Sequence, residues 1–199
     1  MPQVDYYFTL VSPWTFLGDE AFRKIVADNS ASIRHVPVNL GAVFNVTGGL
    51  PLVKRSDARK ALRMQELKRW RKYRGIDINL EPKFFPASDK LAAGMMIGAQ
   101  NDGVDVGEFG HAIMRAVWIE ERNIANTDTA IDIANSCGLN GQALADAAHS
   151  PKIEQQWQAN TYEAISLNVM GAPFYIIGEH TLWGQDRLMF VEEILAAGG

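Results

Sequence analysis

The chain has 199 residues, of which 47% are hydrophobic and 21% are charged, a composition typical of an ordinary globular protein. The net charge of −4 argues against a protein that binds nucleic acid over its whole surface. Cys137 is the single cysteine, which excludes an internal disulfide, a CxxC redox pair and a thiolate-rich metal site. We interpret Cys137 as a small, buried apolar side chain near a helix end.

The first residues lead directly into an apolar run and lack the features of a signal peptide. No stretch approaches the roughly 18 unbroken apolar residues of a membrane-spanning helix. We therefore expect a soluble, cytoplasmic protein without a membrane partner. The histidines follow no metal-ligand spacing, so no metal site is expected; they are His35, His111, His149 and His180.

The first strand and helix meet at a serine. A β-prone run from Asp5 to Val11 stops at Ser12-Pro13, and apolar residues at helical spacing follow. Ser12 suits the N-cap because its hydroxyl can satisfy an orphan backbone N–H, and Pro13 suits the first helical position. Two interpretations of Ser12 stay open: a structural cap, or a hydroxyl presented at the positive end of a helix dipole, where a thiolate would be held.

A second strand is predicted over residues 32–38, near a sheet edge because of Pro37, which completes a βαβ unit. The next segment, residues 39–51, is rich in glycine and contains Pro51. We expect it to form a long loop that leaves the sheet.

Residues 54–74 predict one long amphipathic helix, because apolar residues recur at every third position. Ten of the nineteen Lys and Arg residues lie here against two acids, so this segment carries +8 and the rest of the chain −12. A solvated face, an electrostatic funnel for a small anion and a basic nucleic-acid patch are the open interpretations. The apolar positions are Ala58, Ala61, Met64, Leu67, Trp70 and Tyr73.

The middle of the chain is predicted to be helical. Gly75 ends the basic helix, and an irregular connection runs to Ser88. Ser150-Pro151 repeats the start signal of Ser12-Pro13. Further helices are predicted over residues 90–100, 106–121, 128–136, 142–148 and 151–168.

The β signal returns near the C-terminus. Residues 174–177 and 180–183 flank a Gly178-Glu179 turn and predict a hairpin, and a last helix opens after Gly184. The predicted order is thus βαβ, a helical block, then ββα. GxGxxG and GxxxxGK[ST] phosphate-binding motifs are missing, and Ser12 lacks the GxSxG elbow of a serine hydrolase.

Three segments carry a family resemblance: Ser12-Pro13-Trp14, the run from Met170 to Phe174, and the run from Leu182 to Arg187. Together they resemble the kappa-class glutathione transferases and, more closely, the bacterial 2-hydroxychromene-2-carboxylate isomerases. The resemblance covers the whole chain. It implies an α/β fold in which a thioredoxin-like domain of the DsbA-like superfamily, residues 1–40 and 165–199, carries a large all-helical insertion, residues 41–164.

The resemblance assigns a catalytic role to Ser12, which stands where related redox proteins have the first cysteine of CxxC, with Thr15 in place of the second. A serine hydroxyl can donate a hydrogen bond to a thiolate, here that of glutathione as the cofactor. Ala172-Pro173 resembles the cis-proline corner of the family, whose backbone pairs with the extended tripeptide. Sequence alone favours a trans bond, since only about 5–6% of X–Pro bonds are cis.

The same resemblance places Trp183, Gln185 and Asp186 at the cofactor. Gln185 and Asp186 would hold the γ-glutamyl end, whereas a plain helix cap is the alternative for Asp186. Trp14 and Trp183 are expected to line the substrate pocket. Gly49 stands where the family has an asparagine, which removes one polar contact, and Asn45 is the candidate to replace it.

The implied reaction is the reversible isomerisation of 2-hydroxychromene-2-carboxylate, or a related aromatic-degradation intermediate, to trans-o-hydroxybenzylidenepyruvate by reversible thiolate addition. The implied partners are a small aromatic carboxylate and a second subunit in a homodimer. The enzyme alternative is a transferase that conjugates glutathione to an electrophile. A different class is a protein that binds nucleic acid through the basic helix, which the overall acidity disfavours. Without a cysteine pair, a thiol–disulfide oxidoreductase is nearly excluded.

Overall fold

A four-stranded mixed sheet forms the centre of the protein, whose computed structural model describes residues 1–199. The strand order is β2-β1-β3-β4, with β1 parallel to β2 and antiparallel to β3, and β3 antiparallel to β4. This confirms the predicted βαβ unit and the predicted hairpin. The strands are β1 (Gln3–Phe8), β2 (Ser32–Pro37), β3 (Phe174–Ile177) and β4 (His180–Trp183).

Nine helices accompany the sheet, and the chain between β2 and β3 is helical as predicted. None of them combines the length and the apolar character that a membrane-spanning segment requires. Cys137 caps the end of α6 and is half-buried rather than buried. The helices are α1 (Pro13–Asp28), α2 (Leu40–Thr47), α3 (Asp57–Arg74), α4 (Lys90–Asn101), α5 (Gly107–Trp118), α6 (Thr127–Ser136), α7 (Gly141–Ala148), α8 (Pro151–Ser166) and α9 (Leu188–Ala196).

The two faces of β1 are buried in different cores, because alternate residues of a strand point to opposite sides. Val4, Tyr6 and Phe8 belong to the main core, which also takes side chains from α1, α4 and α5. Tyr7 belongs to a smaller core under α8. The main core contains residues from both parts of the predicted domain division, and that division stays a prediction.

The expectation of a long loop over residues 39–51 is wrong, because eight of these residues form α2. The Asn39 side chain caps the helix by accepting from the N–H of Ala42 at 3.2 Å. Gly48 ends the helix in the left-handed conformation, with φ of 80°. Val43 is fully buried in the core under α8, and this tertiary contact holds the short helix in place.

The basic helix is confirmed, but it begins at Asp57 instead of Lys54, and its apolar positions do not form one buried stripe. Of these positions only Leu67 is buried, whereas Tyr73 is 76% exposed. Each residue turns an α-helix by about 100°, so a spacing of three falls about 60° short of a turn. Residues at that spacing therefore lie on successively different sides of the helix, and of the apolar positions only Leu67, in the middle, is buried in the protein core.

An ion-pair network joins α8 to the sheet. The Arg34 guanidinium on β2 pairs with Asp5 at 2.8 Å and with the Glu163 carboxylate of α8. The Tyr7 hydroxyl donates to Glu163 at 2.5 Å. Hydrogen bonding from Arg34 lowers the pKa of the Glu163 carboxyl below its ordinary value. The network therefore ties α8 to the first two strands.

Candidate active site

Ser12 lies where the start of α1 meets the loop before β3. Ser12 is 7% exposed, and its hydroxyl accepts from the Thr15 N–H at 3.2 Å and donates to the Ala172 carbonyl at 3.4 Å. The predicted N-cap is thus confirmed, and the proton of the same hydroxyl points across to a different part of the chain. The Thr15 side chain is fully buried, and its Oγ1 has no hydrogen-bond partner.

The corner before β3 presents a backbone N–H without a partner beside Ser12. The Ala172-Pro173 bond is cis. The Pro173 carbonyl accepts from the Gly184 N–H at 2.9 Å, which joins the corner to the residues before α9. The N–H of Ala172 donates to no group of the protein. A buried strand end with a free donor is the arrangement that pairs with an added extended peptide.

Gln185 and Asp186 lie in a short 3₁₀ turn, Gln185–Arg187, directly before α9. Gln185 is 2% exposed, and Asp186 is half-exposed and pairs with Arg187 at 2.6 Å. Gln185 packs directly on α1, since a Cβ added at Gly18 would lie 2.5 Å from the Gln185 Cβ. The close approach of the two backbones fixes the turn beside the helix that Ser12 caps.

The two tryptophans occupy different environments. Trp183 is 52% exposed at the end of β4, with its indole against Gly171, whose added Cβ would lie 2.7 Å from the indole Nε1. Trp14 is half-buried and packs against the main core. The structure therefore brings Trp183 to the loop that contains Ala172.

Asn45 and Gly49 take part in none of these contacts. Asn45 is exposed on α2 and forms no side-chain hydrogen bond. A Cβ added at Gly49 would run into the ring of Phe44. A larger residue at position 49 would therefore require the Phe44 ring to move.

Asp89 supports the turn that carries Ser12, a role that the sequence did not suggest. Its carboxylate accepts from the Thr9 hydroxyl and from the Leu10 N–H at 2.9 Å. Burial raises the pKa of the Asp89 carboxyl, and the hydrogen bonds oppose that shift. Asp89 directly precedes α4 and resembles a helix cap in sequence, yet its side chain makes no capping bond there. It instead holds the residues between β1 and α1.

Arg74 is the second residue whose contact the sequence did not reveal. Its guanidinium donates to the Gln185 side chain at 3.0 Å. The sequence pattern that could have indicated this contact is the spacing of Arg74 from Leu67 and Trp70, which places all three on one face of α3. Since Leu67 is fully buried, that face is the one directed at the protein.

The arrangement suits the binding of an anion at the start of α1. A hydroxyl donor and the first N–H groups of a helix both stabilise negative charge, such as that of a thiolate. Cys137 belongs to the end of α6, a helix that packs on α5 and α7, and forms no part of this cluster. A thiolate held at Ser12 must therefore belong to a second molecule.

The sheet, its flanking helices and the Ala172-Pro173 corner beside the start of α1 define this chain as a thioredoxin-like protein, with a serine at the N-cap of its first helix. The chain belongs to the DSBA-like thioredoxin domain family, which it matches over residues 3–196. It therefore has the thioredoxin-like fold that the motifs predicted.

Similar proteins carry the names of the two enzyme families that the sequence motifs resemble. The chain is similar to a 2-hydroxychromene-2-carboxylate isomerase of Pseudomonas sp. (strain C18), with 26% identity over 98% of this chain and 90% of the relative. It is also similar to glutathione S-transferase kappa 1 of Caenorhabditis elegans, with 23% identity over 98% of this chain and 91% of the relative. A solved 2-hydroxychromene-2-carboxylate isomerase superposes with a TM-score of 0.79 at 24% identity, covering 98% of this chain and 95% of that structure.

Proposed function

We propose that this protein is a glutathione-dependent isomerase that interconverts 2-hydroxychromene-2-carboxylate, or a related intermediate of aromatic degradation, and trans-o-hydroxybenzylidenepyruvate. The observation that carries the proposal is the Ser12 hydroxyl, bonded to Ala172 beside a backbone N–H that has no partner. The named isomerase and transferase relatives support the choice of chemistry.

The free groups of the site fit glutathione. Ala172 offers a backbone donor for the peptide, and Gln185 offers a side-chain N–H₂ group that has no partner in the protein. When bound, glutathione supplies a thiolate that can add reversibly to a conjugated carbon of the substrate. Ser12 would hold that thiolate through its hydroxyl, aided by the N-terminal end of α1. Asp186 would meet the ammonium of the γ-glutamyl residue.

The substrate is an anion with an aromatic ring, and the surroundings of the site suit both features. Exposed Trp183 offers a flat apolar surface, and we assign Trp14 and Asn45 to the more distant wall of the pocket. The +8 segment over residues 54–74 supplies positive charge that attracts a carboxylate.

The proposal includes a homodimer that acts in the cytoplasm, as the resemblance implies. Exposed apolar side chains at Val53, Leu62 and Tyr73 are available for a subunit contact. Sedimentation equilibrium tests the assembly: a mass of two chains is expected, and a single-chain mass at micromolar concentration would contradict it.

The reaction is tested by following 2-hydroxychromene-2-carboxylate spectroscopically with purified protein, with and without glutathione. We expect isomerisation only when glutathione is present, and recovery of all the glutathione afterwards. Equal turnover without glutathione would contradict the proposal.

A kappa-class-like glutathione transferase is the second candidate, favoured by the similarity to the nematode protein. The two candidates differ in the fate of the thiolate, since a transferase leaves a stable thioether. Mass spectrometry of the products separates them: an unchanged substrate mass identifies an isomerase, whereas a product that has gained the mass of glutathione identifies a transferase.

A further inference from the structure

Arg74, at the end of α3, is bonded to the residue that we place at the γ-glutamyl end of glutathione. Its Nη2 and Nε donate to the Gln185 Oε1 at 3.0 and 3.3 Å, and its Nη2 also donates to the Gln185 main-chain carbonyl at 3.2 Å. The two residues are 111 positions apart in the chain. Three other basic residues of this segment form ion pairs with nearby acids, as Arg71 does with Asp77. Arg74 alone reaches the turn before α9.

The Arg74 side chain is held in position before any ligand arrives. Its guanidinium lies over the rings of Trp70 and Tyr73, at 5.5 and 5.7 Å from their centroids. A planar guanidinium stacks on aromatic rings while its edge donates hydrogen bonds. The direction in which the Arg74 guanidinium points its N–H groups is therefore set by α3 itself.

This contact fixes the orientation of the Gln185 amide. A guanidinium has only donors, so the amide must turn its oxygen toward Arg74 and its N–H₂ group away. On the other side Gln185 packs against Gly18 of α1, so its position is fixed from two directions. Its N–H₂ group donates to no atom of the protein, although Gln185 is 2% exposed.

We propose that Arg74 is a positioning residue for glutathione: it aims the Gln185 N–H₂ group at the γ-glutamyl α-carboxylate and adds its own positive charge there. This inference rests on the proposed function. Gly18 follows Ser12 by six residues, which is about 9 Å along an α-helix. In glutathione the cysteine is the middle residue, and its sulfur can lie about 10 Å from the γ-glutamyl α-carboxylate when the eight bonds between them are extended, so one glutathione molecule can reach both Ser12 and Gln185.

The test is calorimetric titration of two ligands into four proteins. The ligands are glutathione and γ-aminobutyryl-cysteinylglycine, which is glutathione without the α-carboxylate. The proteins are the unaltered chain, Arg74→Gln, Arg74→Lys and the matched control Arg71→Gln on the same helix. Arg74→Lys keeps the charge but loses the fork, and it provides a second variant if Arg74→Gln unfolds.

We expect Arg74→Gln to weaken glutathione binding about ten- to a hundredfold, the range for loss of hydrogen bonds that involve a charged group. Arg74→Lys should lose part of that affinity, whereas Arg71→Gln should bind as the unaltered chain does. The truncated tripeptide should bind all four proteins equally, because it lacks the group on which Arg74 acts.

Two results would overturn the inference. Undiminished glutathione binding by Arg74→Gln would show that Arg74 does not act on the ligand. Equal weakening of both ligands would show that Arg74 only maintains the local structure. Either result leaves the proposed function intact, whereas failure of the unaltered chain to bind glutathione would refute the proposed function itself.

Discussion

Replacing Ser12 with alanine removes two hydrogen bonds that have separate consequences. The first is the cap, in which the Ser12 Oγ accepts from the Thr15 N–H at 3.2 Å. Loss of an N-cap costs about 1 kcal/mol of stability. The second is the proposed bond to the glutathione thiolate, for which the hydroxyl proton would turn away from the Ala172 carbonyl that it contacts at 3.4 Å. A hydrogen bond to a charged group is worth about 1.5–3 kcal/mol, and one pKa unit corresponds to about 1.4 kcal/mol. Ser12→Ala should therefore raise the pKa of the bound thiol by about one to two units.

Ser150 provides the matched control for this substitution. It begins α8 with the same Ser-Pro pair, and its Oγ accepts from the Ile153 N–H at 3.4 Å. Ser150→Ala should lose a similar free energy of unfolding, measured in urea, with no effect on the thiol. The assay is an ultraviolet titration of the thiolate absorbance of bound glutathione in each variant.

We expect Ser12→Ala to bind glutathione still but to lose most of its isomerase activity, since less of the bound thiol is ionised at neutral pH. The reasoning would be refuted by a bound thiol that titrates at the same pH in Ser12→Ala as in the unaltered chain. Full retention of turnover would equally remove Ser12 from the catalytic role.

Three further substitutions test other contacts. Thr15→Val should stabilise the protein by about 1 kcal/mol in urea, because a buried hydroxyl without a partner is removed; equal or lower stability would contradict this. Gly18→Ala should weaken glutathione binding in calorimetry by displacing Gln185, although alanine favours a helix by about 1 kcal/mol; unchanged affinity would contradict the packing. The pKa of the Glu163 carboxyl is lowered by Arg34, so its stabilisation is present above the unfolded pKa of about 4.3 and is lost as the pH falls. The free energy of unfolding of Glu163→Gln, measured in urea, should thus fall less between about pH 6 and pH 3 than that of the unaltered chain. An equal fall in both proteins would show that ionised Glu163 does not stabilise the fold.

Most of the fold follows from local signals in the sequence. The Ser-Pro starts at Ser12 and Ser150 both begin helices, and Gly75 ends α3 in the left-handed conformation. The hairpin follows from two β-prone runs around Gly178-Glu179. These elements were predictable because the residues that define them are neighbours in the chain.

The errors lie where tertiary contacts decide the structure. The glycines of residues 39–51 indicated a loop, yet Gly48 serves as a helix end and burial of Val43 stabilises α2. The regular spacing on α3 indicated a long amphipathic helix, and of its apolar positions only Leu67 is buried. The core under α8 is not visible in a local window of the sequence.

The candidate site was predictable only in part, for the same reason. Ser12 and Ala172 are 160 positions apart, and the family resemblance of their motifs predicted that they lie in one site. Arg74 and Asp89 belong to none of those motifs, and their partners are 111 and about 80 positions away. Nothing local distinguishes Arg74 from the other cations of its helix except its place on the face of Leu67.

The most direct test of the account is the melting temperature of the unaltered protein in glutathione. A ligand of the native state at 100 times its Kd stabilises it by about 2.7 kcal/mol. For a chain of 199 residues that free energy corresponds to a rise in Tm of about 5–10 °C. We expect such a rise, growing with glutathione concentration, and a smaller one in cysteinylglycine, which lacks the γ-glutamyl residue. An unchanged Tm at millimolar glutathione would contradict the claim that this protein binds glutathione at Ser12.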